Sequence, residues 1–446
     1  MRHHKINSGT IRHFVLRQVE LWNASDVQPN VDILVENGLV TAIGPAGSMA
    51  MCEGLTQLDG RGFVLLPAGV DAQVHLRVPG QAQKETATSG LWAAVSGGVG
   101  ALLTMPNTCP VLDHVSILKQ ARQELGAPEA TTNVRVLYSA AMTIGQRGRT
   151  CVDFEALAHA GVAAFTDDGV GVVDEDVMSE VFLWASRTGL PVLQHAEVPG
   201  HGGVLAEGPA QKAIGGVAYP VAAETEMVAR DLRLLRQFPK ARYHVLHVSA
   251  AATIPLIAKA RQEGLRVSCE VSPHHLYFST DDISPSNSSF KMNPPIRSVQ
   301  DRHCLRQSLA DGLVDFVATD HAPHEPAAKT SNFKTSAFGT TGLETSLRVL
   351  LDLWRSNQLT RSRLIEVWSL APARFLGIDA EFGEIKVGRP LNAVLCDVHA
   401  PSTLIMPGDF AGLSKNSCFI GHKLPGRIHG TILRSKVHCL GGLWNL

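Results

Sequence analysis

A chain of 446 residues, 45% hydrophobic and 18% charged, can bury a large core, and one large domain plus a small one is expected. The formal charge of −1 gives no electrostatic reason to expect nucleic acid or an anionic membrane as partner. No apolar run approaches the ~20 residues that span a bilayer. The eight cysteines (Cys52, Cys109, Cys151, Cys269, Cys304, Cys396, Cys418, Cys439) show no close pairs and no C-x-x-C spacing, which points to reduced thiols rather than a disulfide framework. The opening MRHHKINSGTIRHF lacks the apolar stretch of a signal peptide, so a cytoplasmic protein is expected.

In chain order, the first segment reads as short strands. Phe14 to Trp22 and Val31 to Val35 are β-rich, a turn follows at Glu36-Asn37-Gly38, and Leu39 to Ile43 forms a third strand. The last segment is similar, with Gly383-Glu384-Ile385, Asn392 to Cys396 and Gly430 to Val437 as β candidates. Two β-rich ends predict a small β-sandwich domain built from both termini, residues 1–66 plus 380–446. The middle, residues 67–379, alternates strands with helical patterns. The strands are Val64 to His75, Gly100 to Met105, Val134 to Ser139, Ala163 to Asp168, Pro191 to His195, His244 to Val248, Arg266 to Val271 and Phe316 to Asp320. Helical periodicity fills segments such as Glu224 to Gln237 and Ala252 to Gln262. Eight strands, each followed by enough chain for a helix, predict an α/β fold, a (β/α)₈ TIM-like barrel. A doubly wound open sheet competes with it, because periodicity does not separate the two.

Polar residues fall at the strand ends, where such a barrel builds its active site. Those ends carry His75, Asn107, Asp167-Asp168, His195, His247 and Asp320. One histidine alone is more often a core or loop residue than a ligand. Six polar ends on six strands are harder to explain that way. Three imidazoles and two carboxylates suit Zn²⁺, with Mn²⁺, Co²⁺ or Fe²⁺ as alternatives, and an open position on such a metal supplies hydroxide at neutral pH. Asp320 is then the candidate general acid/base, although an Asp at a strand-to-helix turn also serves as a helix cap. Arg77, two residues past His75, would share its face in an extended segment and clamp a carboxylate. Asn107 and Asn293 could bind the same ligand; each also neighbours proline, where turn formation explains an asparagine equally well.

An ordered series of motifs carries a resemblance. It comprises Asp71-Ala72-Gln73-Val74-His75-Leu76-Arg77, Met105-Pro106-Asn107-Thr108, Phe165-Thr166-Asp167-Asp168-Gly169 and His244-Val245-Leu246-His247. It continues with Ser272-Pro273-His274-His275-Leu276, Lys291-Met292-Asn293-Pro294-Pro295, Ala318-Thr319-Asp320-His321-Ala322-Pro323-His324 and Phe338-Gly339-Thr340-Thr341-Gly342. Together these resemble the dihydroorotases of the amidohydrolase superfamily. The resemblance implies zinc-dependent, reversible interconversion of N-carbamoyl-L-aspartate and L-dihydroorotate in pyrimidine synthesis. It implies His75, Asp168, His195 and His247 as ligands to one or two Zn²⁺ ions, with Asp168 bridging, and Asp320 as ligand and general acid/base. Arg77, Asn107, Asn293 and His324 would bind substrate, with backbone contacts from Phe338 and Gly339. A homo-oligomer is expected, with aspartate carbamoyltransferase as a candidate partner.

The departures from that pattern define the rivals. Gln73 stands where the family usually has the first histidine of a His-x-His pair, and an amide oxygen is a poorer zinc ligand. Val78 and Ala196 replace a usual Glu and Cys. A non-catalytic dihydroorotase-like scaffold would carry such a lesion, but here only one ligand is lost. Allantoinases and hydantoinases, the other rival, typically bridge their metals through a carboxylated lysine, and no lysine lies between Lys119 and Lys212.

Overall fold

Parallel neighbours in a sheet need a crossover between them, and the helical segments of the middle region supply it. The computed structural model describes residues 6–49, 54–330 and 332–444. Eight of its strands form one sheet in strict chain order: β1 (Gly69–Val74), β2 (Val99–Thr104), β3 (Arg135–Ala140), β4 (Ala164–Thr166), β5 (Pro191–Gln194), β6 (Arg242–Val245), β7 (Val267–Val271) and β8 (Phe316–Val317). Every neighbouring pair is parallel. The sheet then closes on itself. Val74 bridges His321 in parallel register, and the His75 amide donates to the His321 carbonyl at 2.9 Å. The Asp71 carboxylate on β1 accepts from the Thr319 amide at 3.0 Å and the Thr319 hydroxyl at 2.6 Å. Closure rules out the open doubly wound layout.

The crossover helices bury the faces that periodicity assigned to them. Helix Ala222–Leu235 puts Met227, Val228, Leu232 and Leu235 inside, each contributing roughly 1.5–3 kcal/mol of burial energy. It starts and ends two residues before the expected Glu224 to Gln237. Helix Thr253–Gln262 matches its expected span within one residue.

The β-rich termini assemble into one nine-stranded sheet among the described residues. Its order is Ile6–Thr10, Lys436–Leu440, Arg427–Leu433, Asn392–Asp397, Val64–Pro67, His13–Trp22, Val27–Glu36 and Leu39–Pro45, with Thr56–Asp59 beside His13–Trp22. Strands from the two ends of the chain thus interleave around a core that includes Phe14, Leu16, Ile33, Val35, Leu65, Leu395, Ile432 and Val437.

Three sequence expectations change in detail. Val64 to His75 is two strands in two sheets. Pro67 lacks the amide that would continue the ladder, and Gly69 then packs so tightly that a Cβ would lie 2.3 Å from the Trp368 ring. Gly430 to Val437 is a hairpin, turning at Arg434 with φ 58°. Gly383 to Ile385 forms no strand: the Asn23 side chain takes both backbone groups of Ile385, at 2.9 and 3.1 Å, in place of a ladder. Cys52 and the first five residues lie outside the described residues, and the other seven cysteines are free. Among the described residues no helix is long and apolar enough to cross a membrane.

Candidate metal centre and active site

Parallel strands of a barrel all end on one rim, so residues just past those ends converge. His75 follows β1, Asp168 lies two residues past β4, His195 follows β5, His247 lies two past β6, and Asp320 three past β8. All five are buried. Asp168 is the hub. Its Oδ1 lies 3.4 Å from His195 Nδ1 and 3.6 Å from His247 Nε2, and its Oδ2 lies 3.2 Å from His75 Nε2. Asp320 Oδ1 meets the same His75 nitrogen at 3.1 Å. Two three-residue groups result, Asp168-His195-His247 and His75-Asp168-Asp320, each with donor atoms within 4.8 Å of one another and both sharing Asp168. Imidazole and carboxylate in these numbers fit a divalent cation of the zinc class. His247 and Asp320 hold φ values of 31° and 47°, a sparsely populated region where backbone strain often accompanies function.

The electrostatics match a cation site. Burial disfavours charge on His75, yet hydrogen bonds to Asp168 and Asp320 prevail and push it up to about 9. His195 is likewise pushed to about 9, burial being outweighed by Asp168 and Glu197. Burial works against ionised Asp168, but the three imidazoles hold it well below the usual carboxylate range. The field that draws protons onto these nitrogens also favours a metal ion among them.

Neighbouring amides and carboxylates set which ring nitrogen faces the centre. Asn107 Oδ1 lies 2.7 Å from His75 Nδ1, so that nitrogen carries the proton and Nε2 turns inward. Asn107 Oδ1 thus orients His75, while its Nδ2 lies 3.5 Å from the Asp168 carbonyl. Gln73 donates from Nε2 to Asp168 Oδ2 at 3.2 Å, while its fully buried Oε1 has no hydrogen-bond partner. Asp167 turns away from the centre: its Oδ1 accepts the amides of Met142 and Thr143 at 2.7 and 3.1 Å. Asp168, the second of the pair, is the one that joins the cluster.

Arg77 is buried and donates from Nε to the Pro323 carbonyl at 3.3 Å; among the described residues it forms no ion pair. Burial lowers its guanidinium to about 10, still fully charged near neutrality. Its φ of 61° ends the extended run, so it reaches the site from a turn, not by strand alternation with His75. His324 donates from Nε2 to the Phe338 carbonyl at 2.7 Å, and its Nδ1 is unpartnered. The Gly339 amide donates to the Lys291 carbonyl at 2.8 Å. A Cβ there would lie 2.7 Å from Ala322, so glycine is required for packing. Asn293 Nδ2 reaches Glu197 at 2.6 Å and lies 3.2 Å from His195 Nε2.

Sequence reasoning missed Glu197, Asp71 and Tyr219. Glu197 sits two residues past His195, the same spacing that drew attention to Arg77 after His75, and that signal went unused.

The sequence matches the amidohydrolase family profile over residues 64–437. It is 36% identical over 417 residues to a dihydroorotase of Desulforapulum autotrophicum, covering 92% of this chain and 95% of that protein. It is 36% identical over 416 residues to a dihydroorotase of Listeria innocua, covering 93% and 95%. Among solved structures, an L-hydantoinase (dihydropyrimidinase) from Arthrobacter aurescens superimposes with a TM-score of 0.83 at 26% identity, covering 95% of both chains. A dihydropyrimidinase from Brevibacillus agri, 21% identical over 95% of this chain and 94% of its own, shares the fold with a TM-score of 0.81.

Proposed function

The chain belongs to the amidohydrolase family, and from that premise we propose that it is a zinc-dependent dihydroorotase, interconverting L-dihydroorotate and N-carbamoyl-L-aspartate. One observation carries the choice of substrate: Arg77 is a buried guanidinium without a carboxylate partner, close enough to the donor cluster to feel Asp320 and Asp168. A buried guanidinium with its fork free of a direct carboxylate partner among the described residues favours a ligand that supplies one, which a carboxylate-bearing ring does and a neutral ring does not. Hydantoin and dihydrouracil lack that group. The relatives at 36% identity support the same reading.

Asp168, His195 and His247 would hold one zinc ion, and His75, Asp168 and Asp320 the weaker second position that Gln73 leaves. When bound, such an ion supplies Lewis acidity toward a carbonyl and a water molecule. The chain's own residues do the rest. Arg77 fixes the ring carboxylate, with His324 beside it. Asp320 Oδ1, held by His75, takes the proton as water adds to the ring carbonyl carbon. As the C–N bond breaks, the same carboxyl returns that proton to the departing nitrogen. In the reverse direction Asp320 removes a proton from the carbamoyl nitrogen and water leaves.

The test is ring opening of L-dihydroorotate followed by ultraviolet absorbance, with metal content measured on the same sample. Turnover abolished by a chelator and restored by zinc is expected. Asp320→Asn should lower kcat by about 10²–10⁴ at unchanged metal content. Full activity in that variant would refute the role of Asp320. Turnover of hydantoin or dihydrouracil in preference would refute the substrate assignment, and bound zinc without turnover would favour a scaffold.

A further inference from the structure

We propose that Glu197 is a double positioning residue: it fixes the metal-facing nitrogen of His195 and turns the carbonyl of Asn293, rather than its amine, toward the substrate. The substrate half rests on the reading above; the His195 half does not.

Glu197 Oε2 lies 3.1 Å from His195 Nε2 and 2.6 Å from Asn293 Nδ2. Two donors converge on that one oxygen, and a carboxylate oxygen accepts from both. His195 therefore carries its proton on Nε2 and presents Nδ1, the nitrogen that faces Asp168 at 3.4 Å and His247 at 3.0 Å. A carboxylate behind a ligating imidazole raises its basicity and locks its tautomer.

The same oxygen decides the orientation of Asn293. An amide whose oxygen sat 2.6 Å from a carboxylate oxygen would be repelled, so the nitrogen must be the atom there. That leaves Asn293 Oδ1, which is buried and has no partner. An unpartnered buried acceptor next to the donor cluster costs stability unless a ligand donates to it. The ring N–H groups of a dihydropyrimidine, or the carbamoyl amine of its open form, are donors of the right kind. Asn293 thus selects for an N–H, and Glu197 sets that preference without touching the substrate.

Glu197→Gln tests both halves. Glutamine can keep one oxygen between His195 and Asn293 but loses the charge, so both hydrogen bonds to that oxygen weaken. Zinc affinity, measured by chelator competition on the purified protein, should fall by about 10–100-fold. KM for L-dihydroorotate should rise more than kcat falls. In an Asn293→Ala background the added KM effect of Glu197→Gln should vanish, because the residue through which it acts is gone. Glu197→Asp, which keeps the charge and shortens the reach, should lie between wild type and Gln in zinc affinity. Unchanged zinc affinity in both Glu197 variants overturns the His195 role whatever the substrate proves to be. Additive KM effects in the double variant overturn the Asn293 role. Normal dependence of zinc affinity on Glu197 with no dihydroorotate turnover would refute the dihydroorotase reading and leave the metal-positioning half standing.

Discussion

Asp71 offers a sharp test of how the barrel is closed. Its carboxyl is 3% exposed and accepts from the Gln73 amide at 3.2 Å and from the Thr319 amide and hydroxyl at 3.0 and 2.6 Å, with no cation in contact. Burial outweighs those hydrogen bonds and raises the group from 3.8 to about 7. The native state therefore binds this proton more tightly than the unfolded chain does. Below about pH 4 both states are protonated and the group is neutral in effect; as pH rises toward 7, native stability falls, and above 7 the loss is complete. A rise of about three units corresponds to about 4 kcal/mol at ~1.36 kcal/mol per unit. Asp71→Asn removes the titration and keeps the geometry: Oδ1 still accepts both amides, and Nδ2 donates to the Thr319 hydroxyl. With an unfolding entropy of ~2.1 cal/mol/K per residue over 446 residues, 1 kcal/mol moves the melting midpoint by about 1 °C. The variant should therefore melt up to about 4 °C above wild type near pH 8 and level with it only below about pH 4. Calorimetric midpoints across that range give the comparison. Parallel curves for the two proteins would show that folding leaves the Asp71 proton affinity unchanged, and a variant that falls further below wild type as pH rises would show Asp71 ionised and stabilising; either result refutes this reasoning.

Two further outcomes follow from the centre and its rim. Gln73→His restores an imidazole beside His75, Asp168 and Asp320, and zinc retained after gel filtration should rise from about one to about two ions per chain, read by elemental analysis. Equal zinc content in both proteins would mean that Gln73 does not limit the second position. Arg77→Lys keeps the charge but loses the planar fork, and should raise KM for dihydroorotate by about 10–100-fold with a smaller change in kcat. If turnover of neutral dihydrouracil falls by the same factor, Arg77 is not reading the carboxylate.

What the sequence disclosed about this site depended on topology more than on local chemistry. Once eight strands were parallel and in chain order, residues just past their ends had to meet, so His75, Asp168, His195, His247 and Asp320 could be grouped without knowing a single distance. Choosing Asp168 over Asp167 already needed the family pattern; the physical reason, Asp167 bound to the amides of Met142 and Thr143, is a tertiary fact. Side-chain direction past the strand ends was the part that local pattern could not supply. Arg77 was assigned to the face of His75 by alternation, but β1 ends at Val74 and Arg77 sits at φ 61°, so it arrives by a turn. Asn107 Oδ1 and the Gly339 amide find partners distant in sequence, His75 and Lys291, that no local pattern announces. Periodicity gives a side chain's direction only within a regular element. Beyond the strand ends, where the chemistry is, it is the competition among nearby donors and acceptors that settles each orientation. Glu197 is the clearest case: two residues past a candidate ligand, it gains its second partner only because Asn293 arrives from another loop.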